Sequence, residues 1–395
     1  MEEKKYFSLV NYAVIQGIQS FATSLFLCSV YFWTRERYQF SSLQNLLLNA
    51  EQGLVYILSS RCGGKLSDRL GYHRQLVICT SAMAGILLTG WIPQADFMPF
   101  VIIGAYIVFT ASFWPALEAV VMHAPASTSM PERIGSYNIN WAYSAALGFF
   151  LSGVLFRWRP DAIFWVSAAL HLLILIFFRF PIGRPDARGQ VAMDIPHTGD
   201  EVPEDRKRLF LHTAWLGNSL SYMMFASFTA MAPFVGSKFG LSASTAIWLS
   251  STLFFSRTLA FFWFRRWQGW HYRMIWLVTA AFAAPVSMAL VFFSPWLIPV
   301  LLGLALFGMV CGFTYYGSLY YSLDYGENKG EHGGLHEMII GMGLFAGPLV
   351  GAYGSWQWSG LLGAQAMIIG SALLAGWAGL SSLFRMHGYR RAKPA

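Results

Sequence analysis

The amino-acid sequence predicts an all-α integral membrane protein, with twelve transmembrane helices in two pseudo-symmetric six-helix bundles. Hydrophobic residues make up 56% of the chain and charged residues only 12%, and the mean hydropathy is +0.47. Soluble domains carry about 25% charged residues. A helix needs roughly 20 mainly apolar residues to cross a bilayer, and the sequence divides into apolar runs of that length. One long charged stretch separates these runs into two groups of six, which predicts the two bundles.

The predicted helices follow one another with short polar breaks. In chain order they cover residues 6–33, 43–66, 75–92, 99–123, 135–156, 162–180, 209–235, 243–264, 273–294, 296–321, 335–354 and 358–384. The longest polar stretch is rich in Pro, Gly and charged side chains, a composition typical of a solvated linker. We therefore predict an amino-terminal bundle over 1–180, a linker over 181–208, a carboxy-terminal bundle over 209–384 and a tail over 385–395.

The distribution of basic residues predicts the orientation of the chain. If the amino terminus is inside, most of the 27 Lys and Arg residues fall in cytoplasmic segments, and the outer loops hold five: Arg35, Arg37, Arg157, Arg159 and Lys238. Cytoplasmic loops of membrane proteins carry such an excess. We therefore expect a multi-pass protein of the inner cell membrane with both termini, the linker and the tail in the cytoplasm. The net charge of +8 follows from the same excess and does not indicate nucleic-acid binding.

The loop between the second and third predicted helices carries a recognisable motif. Its glycines and charged residues stand in the order Gly64, Asp68, Arg69, Gly71 and Arg74. This spacing resembles the helix 2–3 signature of the major facilitator superfamily (MFS), a family of membrane transporters. The resemblance implies that the five residues form a gate, which latches the two halves on the cytoplasmic side and opens when the carrier faces inward. The alternative is that they are ordinary basic-loop residues.

The match to the family motif is incomplete. Tyr72 and His73 stand where the family often has two cations, which leaves Arg74 to supply the charge. A related segment in the second half, residues 266–272, repeats a Gly-aromatic-His core but lacks the Asp. Internal repeats of this kind are expected of a carrier built from two duplicated halves.

Polar and aromatic side chains inside the predicted helices are the candidates for substrate contact. Gln16 and Gln19 share one face of helix 1, and Asn218 and Tyr222 share one face of helix 7. The family resemblance implies that helices 1, 4, 7 and 10 line a central cavity. With two residues of helix 5 included, the predicted substrate-binding residues are Gln16, Gln19, Trp114, Glu118, Asn138, Trp141, Asn218, Tyr222, Tyr316 and Tyr320. Polar packing between helices is the alternative explanation.

Two glutamates inside the predicted helices are candidates for proton coupling. Glu51 lies toward the outer third of helix 2, and Glu118 lies in the cytoplasmic third of helix 4. Ionisable groups are costly within a bilayer and are therefore functional candidates. A structural hydrogen bond, or an ion pair with Arg257 of helix 8, is the competing interpretation.

These patterns predict a secondary transporter that works by alternating access, with no cofactor. Amide and aromatic side chains with few fixed charges suit a polar, mostly neutral solute such as a sugar, a nucleoside or a related metabolite. The sequence leaves coupling to H⁺ and a symport mechanism open. We expect a monomer in the lipid bilayer, with a small molecule as its partner.

Other functions are compatible with the same helices. A drug or lipid exporter, or a flippase, would share the fold. An integral-membrane enzyme or a transporter-like sensor is the alternative from another class. His332 and His336 stand four residues apart, a spacing that can bind a metal on a helix. No second ligand cluster or nucleophile accompanies them in the sequence, so we predict neither an enzyme nor a metal site.

Overall fold

The computed structural model describes residues 2–92, 95–122, 130–178, 202–325, 329–358 and 360–391, and within these ranges the chain is helical. The first seven helices are α1 (Glu2–Leu27), α2 (Val30–Tyr38), α3 (Ser42–Leu70), α4 (Tyr72–Thr89), α5 (Met98–Met122), α6 (Met130–Trp158) and α7 (Ala162–Phe177). The other six are α8 (Glu204–Lys238), α9 (Ala243–Arg266), α10 (Met274–Phe293), α11 (Leu297–Tyr325), α12 (Lys329–Gln357) and α13 (Leu361–Arg391).

The first membrane span is made of two helices, α1 and α2. The hydroxyl of Ser29 turns back and donates to the carbonyls of Leu25 and Phe26, the latter at 3.3 Å. This competes with the regular hydrogen bonds of the helix, and the α-helix is interrupted between Leu27 and Val30. The uninterrupted helix predicted over residues 6–33 is therefore wrong in this detail. With α1 and α2 counted as one span, the described helices form twelve spans, as the sequence predicts.

Length and composition suit these helices to a bilayer. Eight of the described spans are long and apolar enough to cross a membrane on these two criteria alone. Helix α7 is equally apolar but has only 16 residues within the described range. The large apolar side chains on the outside of the bundle, such as Leu374 and Ile298, are more than two-thirds exposed, as expected of a surface that faces lipid rather than water.

The helices alternate in direction, so each end of the bundle can be named by one residue. We call the end at which α6 finishes the Trp158 end and the end at which α9 finishes the Arg266 end. Four of the exposed tryptophans lie at the Trp158 end: Trp158, Trp296, Trp356 and Trp358, each 59% or more exposed. Tryptophan is enriched at the interface between a membrane and water, so these four tryptophans mark one boundary of the bilayer.

Two helices of the first half pack directly against two of the second, α3 against α12 and α6 against α9. The contact between α3 and α12 depends on Gly53, where an added Cβ atom would lie 2.3 Å from the backbone nitrogen of Phe345. Small residues allow such close approach of helices in membranes. Near the Trp158 end, Asn45 and Asn49 of α3 donate to the carbonyls of Ala230 and Ala226 in α8, at 3.3 and 2.7 Å.

Several helix ends differ from the predicted boundaries. Helix α8 begins at Glu204, so the last five residues of the predicted linker are helical. Glu204 and Asp205 stand in its first turn, where acidic side chains interact favourably with the helix dipole. Residues 179–201 lie outside the described part of the chain, so the domain boundaries remain a prediction. At its other end, α13 continues to Arg391, beyond the predicted end at residue 384.

Candidate functional site

A cavity of about 230 Å³ lies between the two halves. Both halves contribute aromatic side chains to it, the first half adds amide side chains and the second half adds charged ones. The first half supplies Tyr31, Asn49, Gln52, Tyr56, Trp114, Tyr137 and Trp141, and the second supplies Tyr222, Phe225, Phe254, Arg257, Tyr315 and Glu337. A mainly apolar cavity with a few convergent polar groups is the usual form of a small-molecule site.

The wall formed by α3 follows from the helical repeat. Asn49, Gln52 and Tyr56 are three and four residues apart and therefore lie on one helix face. The Asn49 amide donates to Ala226 O at 2.7 Å, and the Gln52 amide donates to the Tyr31 hydroxyl at 2.7 Å. These bonds hold the amides in fixed orientations, so α3 presents an ordered polar edge to the cavity.

The opposite side of the cavity is a cluster of aromatic rings. Trp141 of α6 meets Tyr315 of α11 edge to face, with ring centroids 5.3 Å apart. Tyr222 of α8 lies 6.3 Å from Tyr315 and 5.9 Å from Phe225. Because three helices from two halves provide these rings, a flat solute here would contact both bundles at once.

Arg257 of α9 brings a positive charge into the cavity wall. The residue is 3% exposed, and its guanidinium carbon lies over the rings of Trp141, Phe254 and Phe225 at 4.7, 5.1 and 5.3 Å. Its Nε atom has no hydrogen-bond partner among the described residues. The thiol of Cys311 lies close enough to interact with the guanidinium. Among the described side chains, no carboxylate lies within 4.0 Å of it.

Glu337 of α12 brings a carboxyl group to the same cavity. It is 7% exposed and accepts a hydrogen bond from the hydroxyl of Tyr56, across the contact between the halves. Glu118 lies near enough for the two carboxyl groups to interact electrostatically. The cavity wall thus holds one acidic and one basic group, each with its own neighbours.

Three of the ten predicted substrate-binding residues line the cavity: Trp114, Trp141 and Tyr222. Glu118 is not among the lining residues, and its carboxyl group interacts electrostatically with that of Glu337. Asn138 accepts a hydrogen bond from the indole of Trp141 at 3.1 Å and so supports a lining residue.

The two predicted glutamines of α1 pack within the first half. The Gln16 amide donates to Tyr137 O at 3.3 Å, and its carbonyl oxygen accepts from Asn140 at 2.7 Å. The Gln19 amide contacts the sulfur of Met83 at 3.5 Å. Neither residue lines the cavity. Both side chains therefore fit the alternative explanation given above, polar packing between helices.

The remaining candidates of the second half lie away from the cavity. Tyr316 is 1% exposed and packs against Trp270, with ring centroids 5.9 Å apart. Tyr320 stacks on His271, with ring centroids 4.3 Å apart and an interplanar angle of 15°. Asn218 is fully buried, and neither of its amide atoms has a hydrogen-bond partner among the described residues. We have no physical account of this buried amide.

The predicted gate residues lie at the Arg266 end, between α3 and α4. Gly71 has a φ of 84°, which glycine adopts without strain, and it separates the two helices. Arg69 and Arg74 are exposed. The side chain of Asp68 and the surroundings of Gly64 lie outside the described part of the chain, so the gate remains a prediction.

Glu51, the other predicted proton-coupling residue, is half-buried between α3 and α5. An added Cβ atom on Gly104 would lie 2.9 Å from its Oε1 atom, and its Oε2 atom has no hydrogen-bond partner among the described residues. It is not among the residues that line the cavity. Its position therefore separates it from Glu118 and Glu337.

Sequence reasoning missed several lining residues. Tyr56 continues the polar face of Asn49 and Gln52 by one more turn, and that signal was available in the sequence. Glu337 was expected near the start of its helix. Helix α12 begins at Lys329, which places Glu337 about two turns inside. Tyr315 could not be distinguished from its neighbour Tyr316 without knowing how α11 is rotated.

His332 and His336, whose spacing was considered for metal binding, lie within about two turns of the start of α12. No group of three or more His, Cys, Asp or Glu residues in the described part of the chain could hold a metal ion. His336 is buried, and its Nδ1 atom lies 2.9 Å from the hydroxyl of Ser318. The side chain of His332 lies outside the described residues.

Comparison with known proteins places the fold. The family model described as Major Facilitator Superfamily matches residues 12–326. The structure is similar to the nucleoside transporter NupG (TM-score 0.70, 13% identity) and to a single-residue variant of it (0.72, 12%). It is also similar to the human organic anion transporter MFSD10 (TETRAN), with a TM-score of 0.66 and 14% identity. Each comparison covers 95% of this chain and 99% of the other. No curated protein matches the sequence.

Proposed function

This chain belongs to the Major Facilitator Superfamily, and from that premise we propose that it moves a small organic solute across the membrane by alternating access. The observation that carries the proposal is the cavity lined by both halves. Carriers hold their substrate between two bundles that rock about it. We further propose that it acts in the inner cell membrane as a monomer, with the Arg266 end toward the cytoplasm. A transport role accounts for the cavity without any catalytic chemistry.

The aromatic lining favours a solute that contains a flat ring. Trp141, Tyr222 and Tyr315 offer ring faces and edges to the cavity, and Gln52 offers a fixed amide for orientation. The two neighbouring structures are named for nucleosides and for organic anions, so likeness of fold does not choose between these classes. A drug or lipid exporter of the same fold remains the second candidate, and the same measurement tests it.

We propose that Glu337, with Glu118 beside it, carries a coupled proton. The Glu337 carboxyl faces the cavity and contacts Tyr56 of the other half. Among the described side chains, neither glutamate forms an ion pair. A buried carboxyl group without a cation against it is suited to gain and lose a proton as the halves move. This modifies the sequence-based prediction, which named Glu51 together with Glu118.

Transport tests this proposal in proteoliposomes that contain the full chain. We expect saturable uptake of a labelled member of a panel of nucleosides, sugars and small organic acids, and faster uptake under an imposed pH gradient. Glu337→Gln removes the ionisable group at constant size and is expected to reduce the gradient-dependent component at least about tenfold. Glu118→Gln is expected to reduce it less, because Glu118 does not line the cavity.

Glu51→Gln provides the comparison, because this carboxyl lies between α3 and α5. Loss of gradient-dependent uptake in Glu51→Gln alone would place coupling there and contradict the role of Glu337. Uptake that ignores both the gradient and all three substitutions would make the protein a facilitator. Lipid translocation without solute uptake would favour the flippase alternative.

A further inference from the structure

The buried guanidinium of Arg257 is the feature that the function above does not use. It lies in the cavity wall with 3% of its surface exposed, and no carboxylate among the described side chains lies within 4.0 Å. Removing a charged group from water costs several kcal/mol unless a partner compensates it. The one carboxyl group in the described lining, that of Glu337, accepts a hydrogen bond from Tyr56. The positive charge therefore lacks an anionic partner from this part of the protein.

The aromatic rings around Arg257 offset only part of this cost. The ring centroids of Trp141, Phe225 and Phe254 lie within 5.3 Å of the guanidinium carbon, and each ring attracts the cation electrostatically. These rings carry no nitrogen or oxygen acceptor for a hydrogen bond from the guanidinium. The Nε atom accordingly has no partner among the described residues. A guanidinium presents planar pairs of donors that match an oxyanion.

We propose that Arg257 is the binding site for the negative charge of the transported solute, and that this solute is a small organic monocarboxylate. The inference rests on the proposed transport function and specifies its substrate class. A monoanion matches the single cation of the described cavity lining, whereas a phosphate dianion would call for a second one. The rings beside Arg257 suit an aromatic or other flat body attached to the carboxylate.

This proposal changes the solute class expected from the sequence. Amide and aromatic side chains with few fixed charges suggested a mostly neutral solute, and an ion pair between Arg257 and a glutamate was the competing interpretation for the buried glutamates. In the structure, Arg257 forms no ion pair with a glutamate among the described residues. A buried charge that lacks a partner in the protein is accounted for when the ligand supplies it.

Binding of matched acids and amides tests the proposal. Isothermal titration of the full chain in detergent would compare benzoate with benzamide, nicotinate with nicotinamide, and lactate with lactamide. Each pair differs mainly in one charge. We expect at least one acid to bind at least about tenfold more tightly than its amide, as loss of a charged partner in a buried site predicts. The aromatic acids should bind better than lactate.

Substitutions then assign the preference to one residue. Arg257→Gln is expected to remove the preference for the acid, so that the ratio of acid to amide affinity falls to about one. Arg257→Lys keeps the charge and is expected to retain part of the preference. Arg266→Gln is the matched control, because Arg266 is an exposed arginine in the last turn of the same helix. Thermal unfolding of each variant shows whether it remains folded.

The outcomes separate this inference from the transport function. A panel in which no acid binds more tightly than its amide, including one in which nothing binds, overturns the role of Arg257. So does an acid preference that persists in Arg257→Gln. If neutral solutes are nevertheless taken up into liposomes, the transport function stands without the anion site. If no solute of any class is moved by folded protein, the transport function itself fails.

Discussion

The folded structure lowers the pKa of His271, a residue that lies outside the membrane spans. It lies in the loop between α9 and α10 and stacks on Tyr320, with ring centroids 4.3 Å apart. Burial lowers the pKa of His271 to about 4, although the negative charge of Asp324 nearby opposes this shift. The ring is therefore neutral in the folded protein at neutral pH. The loop adds further contacts: Tyr272 donates to the carboxylate of Asp324, which also pairs with Lys207 at 3.3 Å.

This lowered pKa predicts how stability depends on pH. An unfolded histidine titrates near 6.5, so between about pH 6.5 and 4 the unfolded chain binds more protons at this residue than the folded one. The stabilisation is complete above about pH 6.5 and is lost as the pH falls toward 4. Because the ring is partly exposed, we expect less than about 2 kcal/mol between pH 7.5 and 5. The midpoint of thermal unfolding of the wild type should fall as the pH is lowered from 7.5 to 5.

His271→Phe keeps a stacked ring but does not titrate, so its midpoint should fall less. At pH 7.5 the two proteins should unfold at similar temperatures, which serves as the control. An equal fall in both proteins between pH 7.5 and 5 would show that other groups set the dependence.

At the scale of elements, the contact between α3 and α8 holds the halves together near the Trp158 end. Asn49 donates to Ala226 O at 2.7 Å and to the Thr229 hydroxyl at 3.1 Å. Hydrogen bonds between membrane helices contribute about 0.6 kcal/mol each. Cys28 lines the cavity, so the rate at which it is alkylated can measure opening of this contact. Cys79 and Cys311 are buried.

Asn49→Ala is expected to open the cavity toward the Trp158 end. Loss of two bonds, about 1.2 kcal/mol, would raise the open population roughly eightfold. In a Cys62→Ser background, alkylation of Cys28 by a bulky maleimide should accelerate by that factor. Asn140→Ala is the matched control, because Asn140 also makes two bonds, to Ala13 O and Gln16, but within one half. Equal acceleration by both variants would contradict a latch between α3 and α8.

The number and type of helices could be predicted from the sequence, because apolar runs of membrane length are a strong signal. Details that depend on one side chain could not. The break at Ser29 comes from its hydroxyl bonding back to the helix, and serine is as common in straight helices. The early start of α8 at Glu204 lies in a charged segment that resembles a linker by composition.

The site was less predictable for a related reason. Helical spacing places residues on a common face but does not say which neighbour that face meets. Gln16 meets Asn140 of α6, while Gln52 at a similar polar face lines the cavity. Arg257 and Glu337 required the rotation and start of their helices to be known before they could be assigned to one cavity.

At the scale of the whole molecule, the halves meet through a contact that has no room for a side chain. A Cβ atom added at Gly53 would lie 2.3 Å from the Phe345 backbone nitrogen, so α3 and α12 would have to separate. Overpacking of this kind costs about 1–3 kcal/mol. Such an energy would shift the balance between open and closed states roughly 5- to 150-fold.

Gly53→Ala is therefore expected to reduce solute uptake at least about fivefold and to expose Cys28 to alkylation. Gly85→Ala is the matched control, because a Cβ atom there meets nothing within 4 Å. Its uptake should remain close to that of the wild type. If both variants transport normally, α3 and α12 do not approach this closely during the cycle. Thermal midpoints of both variants would identify a simple folding defect.

The four exposed tryptophans at the Trp158 end have a consequence for the surrounding lipid. Trp158 belongs to the first half, whereas Trp296, Trp356 and Trp358 belong to the second. Indole rings settle at the depth of the lipid headgroups, so each half is anchored separately to the bilayer surface. When the halves rock, the anchors change height relative to one another, and the acyl chains between them must stretch or compress. Bilayer thickness thereby enters the free energy of each step, and lipids of different chain length would give one carrier different turnover rates.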